Sequence, residues 1–223
     1  MQRIPEPELM DEAEQAAAYA NADFEAPHRF FIELFQRVFP DDPVSSGTVL
    51  DLGCGPADIS VRFARAYPDC VLHGIDGAGA MLREGQRRLT REMLVQRIHL
   101  HQANLPQDPA PRAAYDVIIS NSLLHHLHDP QVLWQAINQY GQPGTPIFVM
   151  DLQRPTDQQQ ARALVEEYAS DEPMILQRDF YHSLCAAFTP DEVQQQLAEA
   201  GLAYLEVESV SDRHLIVHGR LRG

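Results

Sequence analysis

The stretch Val49-Leu50-Asp51-Leu52-Gly53-Cys54-Gly55-Pro56-Ala57-Asp58 decides the fold. An apolar run leads into Asp51, breaks at Gly53 and Gly55, and gives way to a helical pattern. Twenty-one residues beyond Gly55, a second apolar run, Val71-Leu72-His73-Gly74-Ile75, ends in Asp76. Strand, glycine turn, helix, strand and acid form the layout of a nucleoside-binding α/β half. Glycines let the turn backbone approach a ligand, and an acid at the tip of the next strand accepts hydrogen bonds from ribose hydroxyls.

A dinucleotide site calls for a third glycine, where close helix–strand packing lets the helix N-terminus hold a pyrophosphate. Asp58 stands there instead, and its carboxylate would repel a diphosphate. The charge logic therefore favours a ligand with no phosphate and a cationic end over NAD or FAD. The segment from Asp51 to Pro56 resembles the first motif of class I S-adenosylmethionine-dependent methyltransferases. The likeness extends over about residues 48–151 and is closest to the small-molecule enzymes of the ubiquinone/menaquinone group.

The chain has 223 residues, 44% of them hydrophobic and 22% charged, as expected for one soluble globular domain. Its formal charge is -15, and all 17 basic residues are arginine. Without lysine there is neither a Schiff-base amine nor a Walker-type phosphate lysine. The acidic balance argues against nucleic acid as a partner, because phosphate neutralisation supplies most nonspecific affinity. No apolar run approaches the roughly 20 residues that span a bilayer, and no basic-then-apolar leader is visible, so no membrane partner and a cytoplasmic location are expected. Three scattered cysteines, Cys54, Cys70 and Cys185, read as reduced thiols, with Cys54 packing inside the turn. Arg83, Arg87, Arg88 and Arg91 read as a solvated helix face. Composition does not distinguish monomer from homodimer.

Hydrophobic patterning predicts strands at 48–52, 71–75, 98–102, 115–120, 146–151, 203–208 and 213–219. Helices are expected at 58–67, 78–91, 130–140, 156–169 and 190–201, the last with Pro190 in its first turn. The alternation implies a Rossmann-like, doubly wound, mostly parallel sheet. The short link between the last two strands forces an antiparallel C-terminal hairpin, since parallel strands need a crossover. The resemblance implies the strand order 3-2-1-4-5-7-6. Within a single domain, 1–43 reads as a helical cap, 44–151 as the donor-binding core, 152–189 as a lid or acceptor insertion with an irregular part at 171–189, and 190–223 as the final helix and hairpin.

The resemblance also implies roles. Asp51 would hold the methionine ammonium of S-adenosylmethionine, Gly53 and Gly55 would admit the donor to the turn, and Asp76 would bind the ribose diol. Met81 would pack on the adenine, with Asn104 and Leu105 at its edge and Asn121 by the methionyl group. Tyr19 resembles a tyrosine that closes over the donor. The segment Asn121-Ser122-Leu123-Leu124-His125-His126 resembles the family's exit from strand four, which places His126 and His125 near the methyl group as candidate catalytic residues.

His182 and His214 join that pair as candidate general bases, because histidine titrates near neutrality. Arg178, Tyr181, His182, Arg213 and His214 are candidates for the acceptor pocket. Arg154, Arg178 and Arg213 hint at an acidic acceptor. The cluster His125-His126-x-His128 would bind a metal only with inward geometry and usually a fourth donor, and no metal is expected. The reading is methyl transfer to O, N or C of a small molecule. A carboxy-S-adenosylmethionine synthase-like enzyme, a non-catalytic S-adenosylmethionine-binding protein and a nicotinamide oxidoreductase remain as alternatives.

Overall fold

The computed structural model describes residues 1–40 and 46–223. Seven strands, β1 (Gly47–Leu52), β2 (Cys70–Asp76), β3 (Ile98–Gln102), β4 (Val117–Asn121), β5 (Pro146–Leu152), β6 (Glu206–Ser209) and β7 (His214–Arg220), form one sheet in the order β3-β2-β1-β4-β5-β7-β6. The first five run parallel, while β7 is antiparallel to both β5 and β6. The hairpin and the strand order match the expectation. The expected boundary at 43/44 lies outside the described residues.

Consecutive residues of the central strands enter opposite cores, as a sheet buried on both faces requires. On one face Val49, Val117, Ile119, Phe148 and Ile216 meet α2 (Glu25–Val38), α3 (Asp58–Ala66) and α4 (Gly79–Arg91). On the other, Leu50, Ile118, Ile147, Val149 and Leu215 meet α5 (Gln131–Tyr140) and α8 (Pro190–Glu199). The first core is aromatic: Phe31 and Phe35 of α2 both meet Phe148 edge-on, at centroid distances of 4.8 and 5.6 Å. In the second, Trp134 is fully buried and its indole N–H donates to Gln196 Oε1 at 3.1 Å. Thr189 and Glu192 form a reciprocal capping box at the start of α8, with Pro190 in its first turn.

Two expectations are corrected. Residues 171–189 are not irregular, because α7 (Met174–Ala186) fills most of the segment and packs on α6 (Gln158–Ala169). Its apolar residues Leu176, Leu184 and Cys185 are interleaved with polar ones, and that weak amphipathicity hides the helix in sequence. The first residues are not helical either. After a proline-interrupted strap, helix begins only with α1 (Ala13–Asn21). Arg3 pins this strap: it donates to Ala186 O at 2.6 Å and to His125 O and Leu127 O at 3.0 Å, and it lies 4.0 Å from the Phe188 ring centroid.

Candidate functional site

Strand β1 lies between β2 and β4, and the helices that follow β1 and β4 pack on opposite faces of the sheet. Such a switch point opens a crevice at the strands' carboxyl ends. A cavity of about 260 Å³ occupies it.

The glycine turn is its floor. The Gly53 and Cys54 N–H groups donate to Ile75 O at 2.9 and 3.1 Å, which ties the turn to β2. The two glycines serve different ends. Gly53 has φ +70°, and a Cβ there would stand 2.8 Å from the Leu123 side chain. Gly55 has φ +50°, and a Cβ there would meet no described atom within 4 Å, since it faces the cavity. Cys54 is buried, and its sulfur would sit 2.8 Å from a Cβ on Gly74, so it packs as expected.

Asp76 accepts the Gly55 N–H on Oδ2 and the Ala78 N–H on Oδ1, both at 2.8 Å. Each oxygen keeps a second lone pair for a ligand hydroxyl. Asp51 is 1% exposed and accepts the Ser60 hydroxyl at 2.5 Å. Burial pushes the Asp51 carboxyl up to about 7, with the Ser60 bond pulling it down and the Asp76 charge adding to the rise. A carboxylate so poorly compensated suits a cationic ligand group.

Asp58 keeps its charge. Burial opposes ionisation, but His28 Nδ1 at 3.4 Å, Arg62 at 2.7 Å and Arg88 at 3.2 Å hold the carboxyl far below its ordinary range. Arg88 is therefore not on a solvated face: it bonds Asp58 and Ala20 O. Arg87, on the same helix, is exposed and pairs with Glu84.

Asp51, Gly53, Gly55, Asp76, Met81, Asn104, Leu105, Asn121, Tyr19 and His126 all line this cavity. Met81 is buried beside Met10 and Tyr19. Burial, with the charges of Asp58, Asp151 and Asp76, pushes the Tyr19 hydroxyl to about 12, so it remains protonated. Sequence reasoning missed Glu8, Leu9 and Met10 of the strap, together with Phe24 and His28, which also line the cavity. A segment without periodicity carries no signal of what it covers.

A second cavity of about 290 Å³ adjoins the first and shares Tyr19, Asn121, Ser122 and His126 with it. Met150, Leu152, Leu176 and Phe180 give it an apolar wall, and Glu172, Asp179, Arg213 and His214 also line it. His125 lines only this second chamber. Arg178, Tyr181 and His182 line neither cavity; their immediate neighbours Asp179, Phe180 and Ser183, on another face of α7, line the second.

The arginines suggesting an acidic acceptor are already engaged. Arg154 pairs with Glu192 at 2.7 Å, Arg178 with Asp179 at 3.0 Å and Arg213 with Asp212 at 2.8 Å. Arg213 also stacks 3.3 Å from the Tyr168 ring centroid. Burial, with Arg213 beside it, lowers the His214 imidazole to about 4 and keeps it neutral.

At the junction of the chambers, His125 Nδ1 lies 2.5 Å from Asp151 Oδ1, while Asp151 Oδ2 accepts the Leu124 N–H at 2.7 Å. Burial works against charge on His125, but Asp151 and Glu6 outweigh it and raise its pKa. Burial and the neighbouring His125 lower His126 to about 3. Glu6, from the strap, places Oε1 3.2 Å from His126 Nδ1 and 3.6 Å from His125 Nε2. His128 is exposed and bonded to the strap at Glu6 O and Glu8.

A family model described as "Methyltransferase domain" matches residues 22–207. An uncharacterized methyltransferase of Mycobacterium tuberculosis is 29% identical over 114 residues, 51% of this chain and 55% of its own. A trans-aconitate 2-methyltransferase of Azoarcus is 28% identical over 134 residues, 60% of this chain and 49% of its own. A ubiquinone/menaquinone biosynthesis C-methyltransferase of Vibrio campbellii is 29% identical over 110 residues, 48% of this chain and 42% of its own. The chain thus spans about half the length of these curated relatives. Among solved structures, the plantazolicin methyltransferase BpumL, in complex with a triazolic desmethylPZN analog and S-adenosylhomocysteine, superimposes with a TM-score of 0.68 at 14% identity, covering 94% of this chain and 91% of its own. At that identity the likeness shows the fold alone.

Proposed function

The chain belongs to the methyltransferase domain family, and we propose that it transfers the methyl group of S-adenosylmethionine to a small-molecule acceptor. The observation that carries this reading is the pairing of two adjoining chambers. The first holds Asp76, Asp51 and the open face of Gly55; the second meets it at Asn121, Ser122 and His126.

The donor's positive sulfur supplies the activation of the methyl group. The chain's own residues orient and desolvate. Asp76 takes the ribose hydroxyls on its spare lone pairs. Asp51, buried with a single hydroxyl donor, pairs with the methionine ammonium. Met81, Asn104 and Leu105 receive the adenine. The strap, α1, α6 and α7 form the roof that excludes water, with Tyr19 at the boundary between the chambers. His125, held by Asp151, and His126 face the acceptor side of that boundary and orient the acceptor. The apolar wall of the second chamber, with Glu172 in its lining and Arg213 already paired to Asp212, supports a largely apolar acceptor that is neutral or cationic. It does not favour a polycarboxylate.

Acidic net charge supports a partner other than nucleic acid, and no described helix is long and apolar enough to cross a membrane. With buried cysteines at Cys54, Cys70 and Cys185, these features support a cytoplasmic enzyme. Calorimetry with S-adenosylhomocysteine tests the donor assignment, with one site per chain expected. Radiolabelled S-adenosylmethionine, offered with panels of aromatic amines, phenols and carboxylic acids, tests transfer. Binding of NADH in place of S-adenosylhomocysteine would overturn the assignment.

A further inference from the structure

Three potential ligand atoms, one each from Glu6, His125 and His126, converge where the strap crosses the turn after β4. His125 gives Nδ1 to Asp151 at 2.5 Å, so in its neutral form the lone pair is on Nε2. His126 makes a backbone hydrogen bond with Pro7. Proline has no N–H, so the ring donates to the Pro7 carbonyl. Nδ1 of His126 is buried without a hydrogen-bond partner, which identifies Nε2 as the donor and leaves the lone pair on Nδ1. Both bare nitrogens face Glu6 Oε1, at 3.6 and 3.2 Å, and all three atoms lie within 4.8 Å of one another. The only hydrogen bond to Glu6 Oε1 from a described side chain is that of Ser183 Oγ, at 3.0 Å. With both rings neutral, three acceptors so placed repel unless a cation lies between them, either a proton on His125 Nε2 or a metal ion held by all three.

We propose that Glu6, His125 and His126 form a site for a divalent transition-metal ion of the zinc class. Two imidazoles and one carboxylate, with a fourth position open, are the donor set of a catalytic rather than a structural zinc site. The separations of 3.2 and 3.6 Å suit ligands at about 2.0–2.2 Å from one tetrahedral ion. Asp151 and the Pro7 carbonyl fix the two rings from behind, the usual arrangement around metal-bound histidine. His125, His126 and Ser183 also line the second chamber, so the site adjoins it. The donor beyond the histidines is Glu6, brought in by a strap remote in the chain. The site goes beyond methyl transfer and does not depend on it.

The test uses the full chain after chelator dialysis, titrated with Zn²⁺ by calorimetry and with Co²⁺ by visible absorption. One Zn²⁺ per chain and the intense visible bands of low-symmetry Co²⁺ are expected. Both should vanish in Glu6→Gln and His126→Asn, and Asp151→Asn should weaken Zn²⁺ about 10–100-fold by releasing the His125 ring. S-adenosylhomocysteine binding, measured on each variant, reports whether the fold and donor site survive. Wild-type protein that binds S-adenosylhomocysteine but shows no stoichiometric Zn²⁺ and no Co²⁺ bands holds only a proton at this junction, which overturns the proposal. Equal Zn²⁺ affinity in wild type and Glu6→Gln overturns it as well.

Discussion

Replacing Asp76 separates donor recognition from turn architecture. Its two oxygens each accept one backbone N–H, from Gly55 and Ala78, both at 2.8 Å. Ribose hydroxyls would use the remaining lone pairs. A hydrogen bond to a charged group contributes about 1.5–3 kcal/mol, so losing two weakens donor binding by roughly 3–6 kcal/mol, about 10²–10⁴-fold in Kd. Asp76→Asn tests the same point differently. Its amide nitrogen must face either the Gly55 or the Ala78 N–H, donor against donor, so the turn itself suffers. Asp76→Ala removes both bonds without adding that repulsion. The assay is calorimetry with S-adenosylhomocysteine at neutral pH, alongside thermal melts of ligand-free protein. The expected outcome for Asp76→Ala is a large loss of affinity with cooperative melting retained. Affinity within threefold of wild type in a cooperatively folded variant would refute the ribose assignment.

The two turn glycines should fail differently. A left-handed φ costs an alanine about 1–2 kcal/mol. Gly55→Ala should therefore melt slightly lower while losing donor affinity, whereas Gly53→Ala, whose Cβ meets Leu123 at 2.8 Å, should lose considerably more stability in denaturant titrations. Asp51 predicts a pH dependence. Its folded pKa, raised to about 7, lies above the unfolded value, so the stability linked to its proton is complete below about pH 4 and is lost as pH rises to about 7. Ligand-free Asp51→Asn should then be more stable than wild type at pH 8 and bind donor more weakly. Calorimetry near pH 7 in buffers of different ionisation enthalpy should show proton release as wild type binds. Asp58 has the opposite sign: its contribution is present above the ordinary carboxylate range and disappears as pH falls through its depressed folded value. Asp58→Ala, which leaves Arg62 with only Glu25 and Arg88 with only the Ala20 carbonyl at 21% and 17% side-chain exposure, should cost about 1–3 kcal/mol, lowering Tm by several degrees.

Much of the first chamber was legible because strand-end residues inherit their position from the sheet. Once β1 and β2 are parallel neighbours, Asp51, Gly53, Gly55 and Asp76 must meet at one edge, whatever the side chains elsewhere do. The acceptor side was less legible. Arg178, Tyr181 and His182 stand out only by composition, and α7 turns Phe180 and Ser183 to the chamber instead. Helical phase decides which residues face inward, and the polar residues interleaved in α7 conceal that phase. Arg88 was misread for a related reason: four arginines on one helix look alike until a buried carboxylate from another helix selects one.

By itself the sequence determined the seven strands, the glycine turn, the C-terminal hairpin and the acid at the end of β2. All of these rest on hydrophobic period, backbone freedom and connection length, which act between near neighbours. Tertiary structure alone decided that an aperiodic strap roofs the site, that Asp58 is neutralised by His28, Arg62 and Arg88, and that Glu6 meets His125 and His126. Those outcomes depend on side chains far apart in the chain, whose pairing is set by how the layers pack and which charges burial forces together.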